Sequence, residues 1–441
     1  MENKIIVLGA GIAGISAAYH LKKSNQIEVF EKNNDWGGMC GGFYLSSPKG
    51  DFWFDHAVHL SFAKDPYVQK VFHQSSHPKR HIPKPMNYYQ GHWVKHPAQN
   101  NLYPLSLKEK ILALKDMIEN HNQKSHLLNF EQWLRAQYGN YFTENFPMRY
   151  TRKYWTTEAK NLSTSWVGTR LYTPNLEEIL QGAMSPDTPN TYYAQEMRYP
   201  ENGQYRSFFK ALRDEIQISF KKEVIEIDTK NKKVLFSDHT QEKYSHLIST
   251  LPLKEIVNLI NHTPQEVIDA ANNLYATSVA LVSFGFKQKD IPKELWFYIY
   301  DEDKLFARVY SPSYKTANNA PDGCSSLQAE IYFSHFKPLQ ELTQCHLSDA
   351  KEFLIQHTKQ KFIEMGICNQ EDIICEDFRI IPYANVIFTH QLEKSREVVK
   401  KFLESRDIIS CGRFGEWDYL WSDQSFLSGY NAALKLNQTL E

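Results

Sequence analysis

The chain has 441 residues, 42% of them hydrophobic and 14% aromatic, with 50 Lys and Arg against 51 Asp and Glu. That length predicts two or three structural domains, together able to bury a sizeable core. A formal charge of −1 gives no electrostatic reason to expect nucleic acid or an anionic membrane as partner.

Met1-Glu2-Asn3-Lys4 leads straight into a strand-like run that ends in glycines, which does not fit a signal peptide. No run approaches the roughly 18–20 apolar residues of a membrane span, so a soluble, cytoplasmic protein is expected. The six cysteines, at 40, 324, 345, 368, 375 and 411, form no CxxC pair and no zinc-ligand spacing. They read as reduced, mostly buried thiols, and no metal is expected.

In chain order, residues 4–9, KIIVLG, are apolar on both faces, as in a parallel strand covered by helices. GAGIAGISAAYHLKK then carries small residues into a helical pattern, and 27–31, IEVFE, make a second strand of a βαβ unit. From about 65 to 205 the composition turns aromatic and helical, at 106–120 and 127–137 above all, with prolines at 78, 83, 85, 97 and 104. Residues 223–228 and 233–236 predict a hairpin, and 246–252 a strand returning to the first unit. The runs TSVALVSFGF, LWFYIY, LFARVYS and SLQAEIYF, between 276 and 335, predict an antiparallel sheet with one wet face. An amphipathic helix is expected over 347–365 and a last strand over 406–411.

Gly9-x-Gly11-x-x-Gly14 follows the first strand and opens the helix, and Glu31 ends the second strand. Gly9 permits a tight turn, Gly11 lets backbone approach a pyrophosphate, and Gly14 lets helix and strand pack closely. Glu31 stands where an acid accepts ribose hydroxyls. Trp36-Gly37-Gly38-Met39-Cys40-Gly41-Gly42 follows, and this second glycine loop suits an extended FAD whose middle passes close to main chain. The candidate FAD contacts are Gly9, Gly11, Gly14, Glu31, Gly37, Gly38, Val224, Gly412 and Asp423. Asp423 has a second reading, as a plain helix N-cap. The chain is therefore expected to be α/β. A Rossmann-like FAD-binding domain would come from 1–65 with 210–260 and 400–441, a helical insertion from 66–209, and an antiparallel sheet substrate domain from 261–399. No Ser-His-Asp set or HExxH occurs, as expected if a flavin carries the chemistry and the protein supplies position and electrostatics.

The glycine loop after Glu31, together with GRFGEWDYLWSDQ near the C-terminus, resembles the UDP-galactopyranose mutases. These belong to a wider superfamily with amine oxidases, protoporphyrinogen oxidase and carotenoid desaturases. Further segments resemble the family in order along nearly the whole chain: Phe54-Asp55-His56-Ala57-Val58-His59, His96-Pro97-Ala98-Gln99-Asn100-Asn101-Leu102, Tyr150-Thr151-Arg152-Lys153-Tyr154-Trp155, Phe306-Ala307-Arg308-Val309 and Ala329-Glu330-Ile331-Tyr332. The resemblance implies His59 as the histidine near the flavin and Arg308 as a substrate-diphosphate arginine, both counted as catalytic. It implies Tyr150 and Trp155 at the uridine side and Tyr419 on the diphosphate. Read as residues alone, His59 and Trp155 also fit an ordinary core, and Arg308 must either face a cleft or pair with Glu330.

One departure stands out. The mutases carry Arg-x-Pro-Val-Arg after a Leu-Ser, whereas this chain reads Arg170-Leu171-Tyr172-Thr173-Pro174, with proline in place of the second arginine. Arg152, Arg198 and Arg206 are candidates to replace it. What the resemblance implies is a nucleotide-sugar pyranose/furanose mutase of polysaccharide biosynthesis, active with reduced FAD, whose N5 is the nucleophile on the anomeric carbon. The partners would be a nucleotide sugar and a reductant such as NAD(P)H. The alternative is an FAD-dependent oxidase or desaturase of the wider superfamily.

Overall fold

A computed structural model describes all residues except 1–3, 23–25, 121–126, 169, 192–193, 292–293, 347 and 441. The start of the chain and the first residue of the expected 347–365 helix therefore lie outside the described residues. Strand Lys4–Leu8 is the centre of a parallel five-stranded sheet. The order across the sheet is Ile408–Ser410, His246–Ser249, Lys4–Leu8, Gln26–Phe30, Ile218–Ser219. Ile5 and Val7 pack on one face, against the alanines of helix Ile12–Leu21 and against helix Ser422–Leu440. Ile6 and Leu8 point into the main core on the other. Burial on both faces is why this strand reads as a continuous apolar run.

The second sheet has seven strands, in the order Ile373–Val386, Ala276–Phe286, Ser325–Phe333, Arg308–Tyr310, Trp296–Ile299, Met86–Tyr89, His92–Lys95. Every pairing is antiparallel except Trp296–Ile299 with Met86–Tyr89, which run parallel. The expected wet face is absent from strands Ala276–Phe286 and Ser325–Phe333. Helix Ala350–Glu364 covers one face through Leu354, Ile355 and Phe362. The polar residues that suggested solvent, Ser283, Gln328 and Glu330, are fully buried on the other. Gln328 donates to Ser283 Oγ at 2.9 Å and accepts from the Tyr310 hydroxyl at 2.8 Å.

Segment 66–209 supplies helices Pro66–Ser75, Leu107–Asn120, Phe130–Asn145, Pro147–Tyr154 and Leu176–Met184. It is less purely helical than its sequence suggests, because Met86–Tyr89 and His92–Lys95 join the large sheet and Pro78–His81 pairs with Met197–Pro200. The expected hairpin forms as Val224–Asp228 with Lys233–Phe236, in a separate small sheet. No helix among the described residues is long and apolar enough to cross a membrane.

Candidate active site

The turn after the first strand is built by close packing. The Gly9 N–H donates to Phe30 O at 2.8 Å, with Gly9 at φ +97°. A Cβ at Gly14 would lie 2.0 Å from Gly9 O, so helix and turn touch through bare backbone. Gly11, the N-cap of helix Ile12–Leu21, is different: a Cβ there would meet nothing within 4 Å. The helix has no acid in its first turn, and its N-terminal N–H groups present positive potential to that space.

The second glycine loop folds onto the first. Gly37 donates to Ala10 O at 2.9 Å, and a Cβ at Gly38 would lie 3.3 Å from Gly11 Cα. Glu31 accepts from the Ala10 N–H at 2.9 Å and from the Asn33 N–H at 3.0 Å, which fixes its carboxylate at the end of the second strand. Gly412 arrives from the far end of the chain, where an added Cβ would lie 2.8 Å from Ala13 Cβ. Asp423 sits in the first turn of helix Ser422–Leu440, where burial raises its carboxyl pKa. Val224 begins its strand two residues after Lys222, whose N–H bonds to Glu31 O at 2.9 Å. A dinucleotide fits this cradle on three counts: open space at Gly11, a helix N-terminus with no acid in its first turn, and an acid held at the strand end.

Beside the cradle lies a cavity of about 850 Å³. His59, Tyr150, Trp155, Arg308 and Tyr419 all line it, so the five residues proposed for chemistry and substrate binding converge. Its charged lining is Arg170, Arg308 and Arg413, and no Asp, Glu or Lys among the described residues lines it. The walls are aromatic: Tyr150 stacks on Tyr154 at 5.3 Å, and Trp155 packs 5.0 Å from Trp166 and 5.8 Å from Tyr419. Tyr154 links the floor, its hydroxyl 3.1 Å from both Asn385 Oδ1 and the Tyr419 hydroxyl.

The three arginines are not equivalent. The Arg308 Nε is 2.7 Å from Glu330 Oε2, and its Nη2 is 3.2 Å from the Tyr332 hydroxyl. Burial works against its charge, but Glu330 and the surrounding phenols outweigh that and hold its pKa well above normal. The cleft and ion-pair readings of Arg308 are thus both true. Arg170 and Arg413 have no carboxylate partner among the described residues. Arg170 donates to Tyr419 O at 2.9 Å, Arg413 to Leu420 O at 2.9 Å and Asn385 Oδ1 at 2.8 Å. Both guanidinium groups lie 4.8 Å from the centre of the Tyr419 ring, and the Nε of each is buried without a partner among the described residues.

The sequence named other arginines as substitutes for the cation missing at Pro174, and none of them lines the cavity. Arg152 is held by Glu158, Glu144 and Glu302, Arg198 by Glu196, and Arg206 by Asp35. Lys153, inside the tyrosine-to-tryptophan motif, donates instead to Ile299 O and Asp301 O and ties its helix to the sheet.

His59 is half-buried, with its ring 5.2 Å from Tyr205 and Nδ1 3.2 Å from Ala57 O. Ala57 O can only accept, so Nδ1 carries the proton and Nε2 is left as an acceptor. Burial drives the imidazole pKa down to about 4, so it is neutral at neutral pH. Two fully buried groups underlie this loop: Asp55 accepts from Lys315 Nζ at 2.5 Å, from the Tyr199 hydroxyl and from the Tyr205 N–H. No sequence pattern marks Lys315 or pairs it with Asp55, because the two lie 260 residues apart.

The family described as flavin containing amine oxidoreductase matches this chain over residues 12–354. Among curated proteins, coproporphyrinogen III oxidase of Staphylococcus aureus (strain NCTC 8325 / PS 47) is 22% identical over 344 residues, 66% of this chain and 69% of that one. Among solved structures, reduced UDP-galactopyranose mutase superposes with a TM-score of 0.90 at 23% identity, covering 99% of this chain and 96% of that one. A candidate protoporphyrinogen oxidase from Exiguobacterium sp. 255-15 superposes with a TM-score of 0.74 at 14% identity, covering 100% of this chain and 99% of that one. At these identities the structural likeness is one of fold.

Proposed function

The chain belongs to the flavin containing amine oxidoreductase family, and from that premise we propose that it is an FAD-dependent, cytoplasmic mutase interconverting the pyranose and furanose forms of a nucleotide sugar for polysaccharide synthesis. The observation that carries this reading is a cavity whose only charged lining residues, among those described, are three arginines. An ammonium substrate has no counter-charge there, whereas a diphosphate has three cations to choose from. Bound and reduced, FAD would supply a nucleophilic nitrogen to the anomeric carbon. Gly11 would let backbone approach it, in a cradle that Gly9, Gly14, Gly37, Gly38 and Gly412 close-pack, with Glu31 on its ribose and Val224 and Asp423 beside it.

The chain's own residues do the rest. Arg308, Arg170 and Arg413 hold the diphosphate, the latter two in place of the cation absent at Pro174, and Tyr419 contributes its hydroxyl. Tyr150 and Trp155 offer rings to a planar base. His59, neutral, presents Nε2 as an acceptor toward the reacting end, and the aromatic walls exclude water.

The relative named as a coproporphyrinogen III oxidase supports a second reading, oxidation of an anionic porphyrinogen, which the same arginines could hold. The deciding experiment incubates dithionite-reduced protein with UDP-, dTDP- and GDP-hexoses and separates ring forms by chromatography. Interconversion of one of them is expected. No conversion, together with oxygen consumption on a porphyrinogen, would hand the site to the oxidase reading.

A further inference from the structure

Glu330 sits in strand Ser325–Phe333 with no solvent exposure, and its two oxygens serve different parts of the chain. Oε2 accepts from Arg308 Nε at 2.7 Å and from the Tyr332 hydroxyl at 2.6 Å. Oε1 reaches across to the flavin-side loop and accepts from the Val58 N–H at 2.8 Å. That N–H belongs to the same planar peptide as Ala57 C=O, and Ala57 O is the partner of His59 Nδ1, at 3.2 Å. One peptide group therefore stands between Glu330 and His59, with Glu330 on its N–H and the imidazole on its carbonyl. Ala57 has φ +70°, a left-handed conformation a non-glycine residue adopts only when its surroundings impose it. The buried carboxylate on the next N–H is such a constraint.

We propose that Glu330 is a positioning residue that couples Arg308 to His59. Through the Ala57–Val58 peptide it holds the imidazole with its proton on Nδ1 and its acceptor on Nε2. An anion that takes up Arg308 competes with Glu330 for the guanidinium, and the change is felt at the peptide and hence at His59. This inference rests on the cavity being the reaction site proposed above. It gives Glu330 a function that ion pairing alone would not require.

The test uses the FAD-loaded full chain with nitrogen-labelled histidine, the His59 ring signals being assigned by their loss in His59→Gln. Arg308→Gln is expected to shift those signals in the wild-type background and to move them far less in a Glu330→Gln background. Glu330→Gln alone should mix the two neutral tautomers. Equal shifts in both backgrounds, or an unmixed tautomer in Glu330→Gln, would overturn the coupling. Arg308→Lys serves if Arg308→Gln does not fold. A parallel titration with UDP, read by tryptophan fluorescence, tests the loading step. Glu330→Gln should bind UDP tighter, on the order of tenfold, because Arg308 loses its competing partner. Weaker binding refutes the competition. No binding by the wild type sinks the nucleotide-sugar reading, while the histidine comparison still decides the coupling.

Discussion

Gly11→Ala separates the cofactor cradle from the fold that carries it. Gly11 has φ −75° and ψ 177°, extended backbone open to any residue, and an added Cβ meets nothing within 4 Å. Two small effects then oppose each other. Restricting the unfolded chain stabilises by roughly 0.4–1 kcal/mol. Replacing glycine by alanine at a helix N-cap costs about as much, up to ~1 kcal/mol. The apo protein should therefore unfold within about 1 kcal/mol of wild type, while the methyl stands where a pyrophosphate would need to touch backbone. Gly14→Ala is the contrast: its Cβ would lie 2.0 Å from Gly9 O, an overpacking cost of about 1–3 kcal/mol or more. The assay is urea unfolding of the apo forms, followed by visible flavin absorbance after incubation with excess FAD. Gly11→Ala should be folded and colourless, and Gly14→Ala destabilised. If Gly11→Ala takes up FAD as wild type does, the cradle is not at this turn. If its apo form unfolds readily, the space at Gly11 is not held open for a ligand.

Arg308→Ala leaves Glu330 buried without a cation and should lose about 3–5 kcal/mol of stability; adding Glu330→Gln should restore most of it, and a double variant no more stable than the single refutes the pairing. Arg170→Gln and Arg413→Gln strand no carboxylate, so each should unfold within about 2 kcal/mol of wild type, the scale of a lost cation–π contact. Each should also weaken UDP binding in calorimetry, and unchanged affinity in both would remove them from the anion site. Burial holds His59 near 4 and His96 near 3, against 6.5 in the unfolded chain. Below 6.5 the unfolded state binds more protons, so the stability of this arrangement is complete above that value and falls with pH by up to about 1.4 kcal/mol per unit per histidine. His59→Gln should flatten that slope in urea titrations; an unchanged slope would mean that His59 titrates alike in both states.

The features most legible in the sequence were those imposed by local backbone geometry. Gly14 must be bare because Gly9 O lies against it, and strand Lys4–Leu8 must be apolar throughout because helices and core cover both its faces. Neither constraint needs knowledge of a distant residue. Strands Met86–Tyr89 and His92–Lys95 are four residues each, set among prolines, and gain their place by pairing Met86–Tyr89 with Trp296–Ile299 about two hundred residues on. A run that short has no period to read. The misread wet face has a similar cause: alternation marks a polar side, but Glu330 and Gln328 meet other buried polar groups instead of water.

Charge was the harder part of the site, because an arginine's availability depends on what it is already bonded to. The sequence nominated Arg152, Arg198 and Arg206 as substitute cations and did not single out Arg170 and Arg413 for that role. Three acids reach Arg152 and one reaches Arg206, while carbonyls and an amide are the acceptors for Arg170 and Arg413. Two of those partners come from elsewhere in the chain: Glu302 is 150 residues from Arg152, and Asp35 is 171 from Arg206. The same holds for the Val58–Glu330 contact, which spans 272 residues. Spacing can nominate cations for a site, but only the fold removes those whose charge is already neutralised. The removal changes the chemistry, because it leaves Arg308 as a guanidinium oriented by its own carboxylate and makes Arg170 and Arg413 the cations with charge to spare for a substrate.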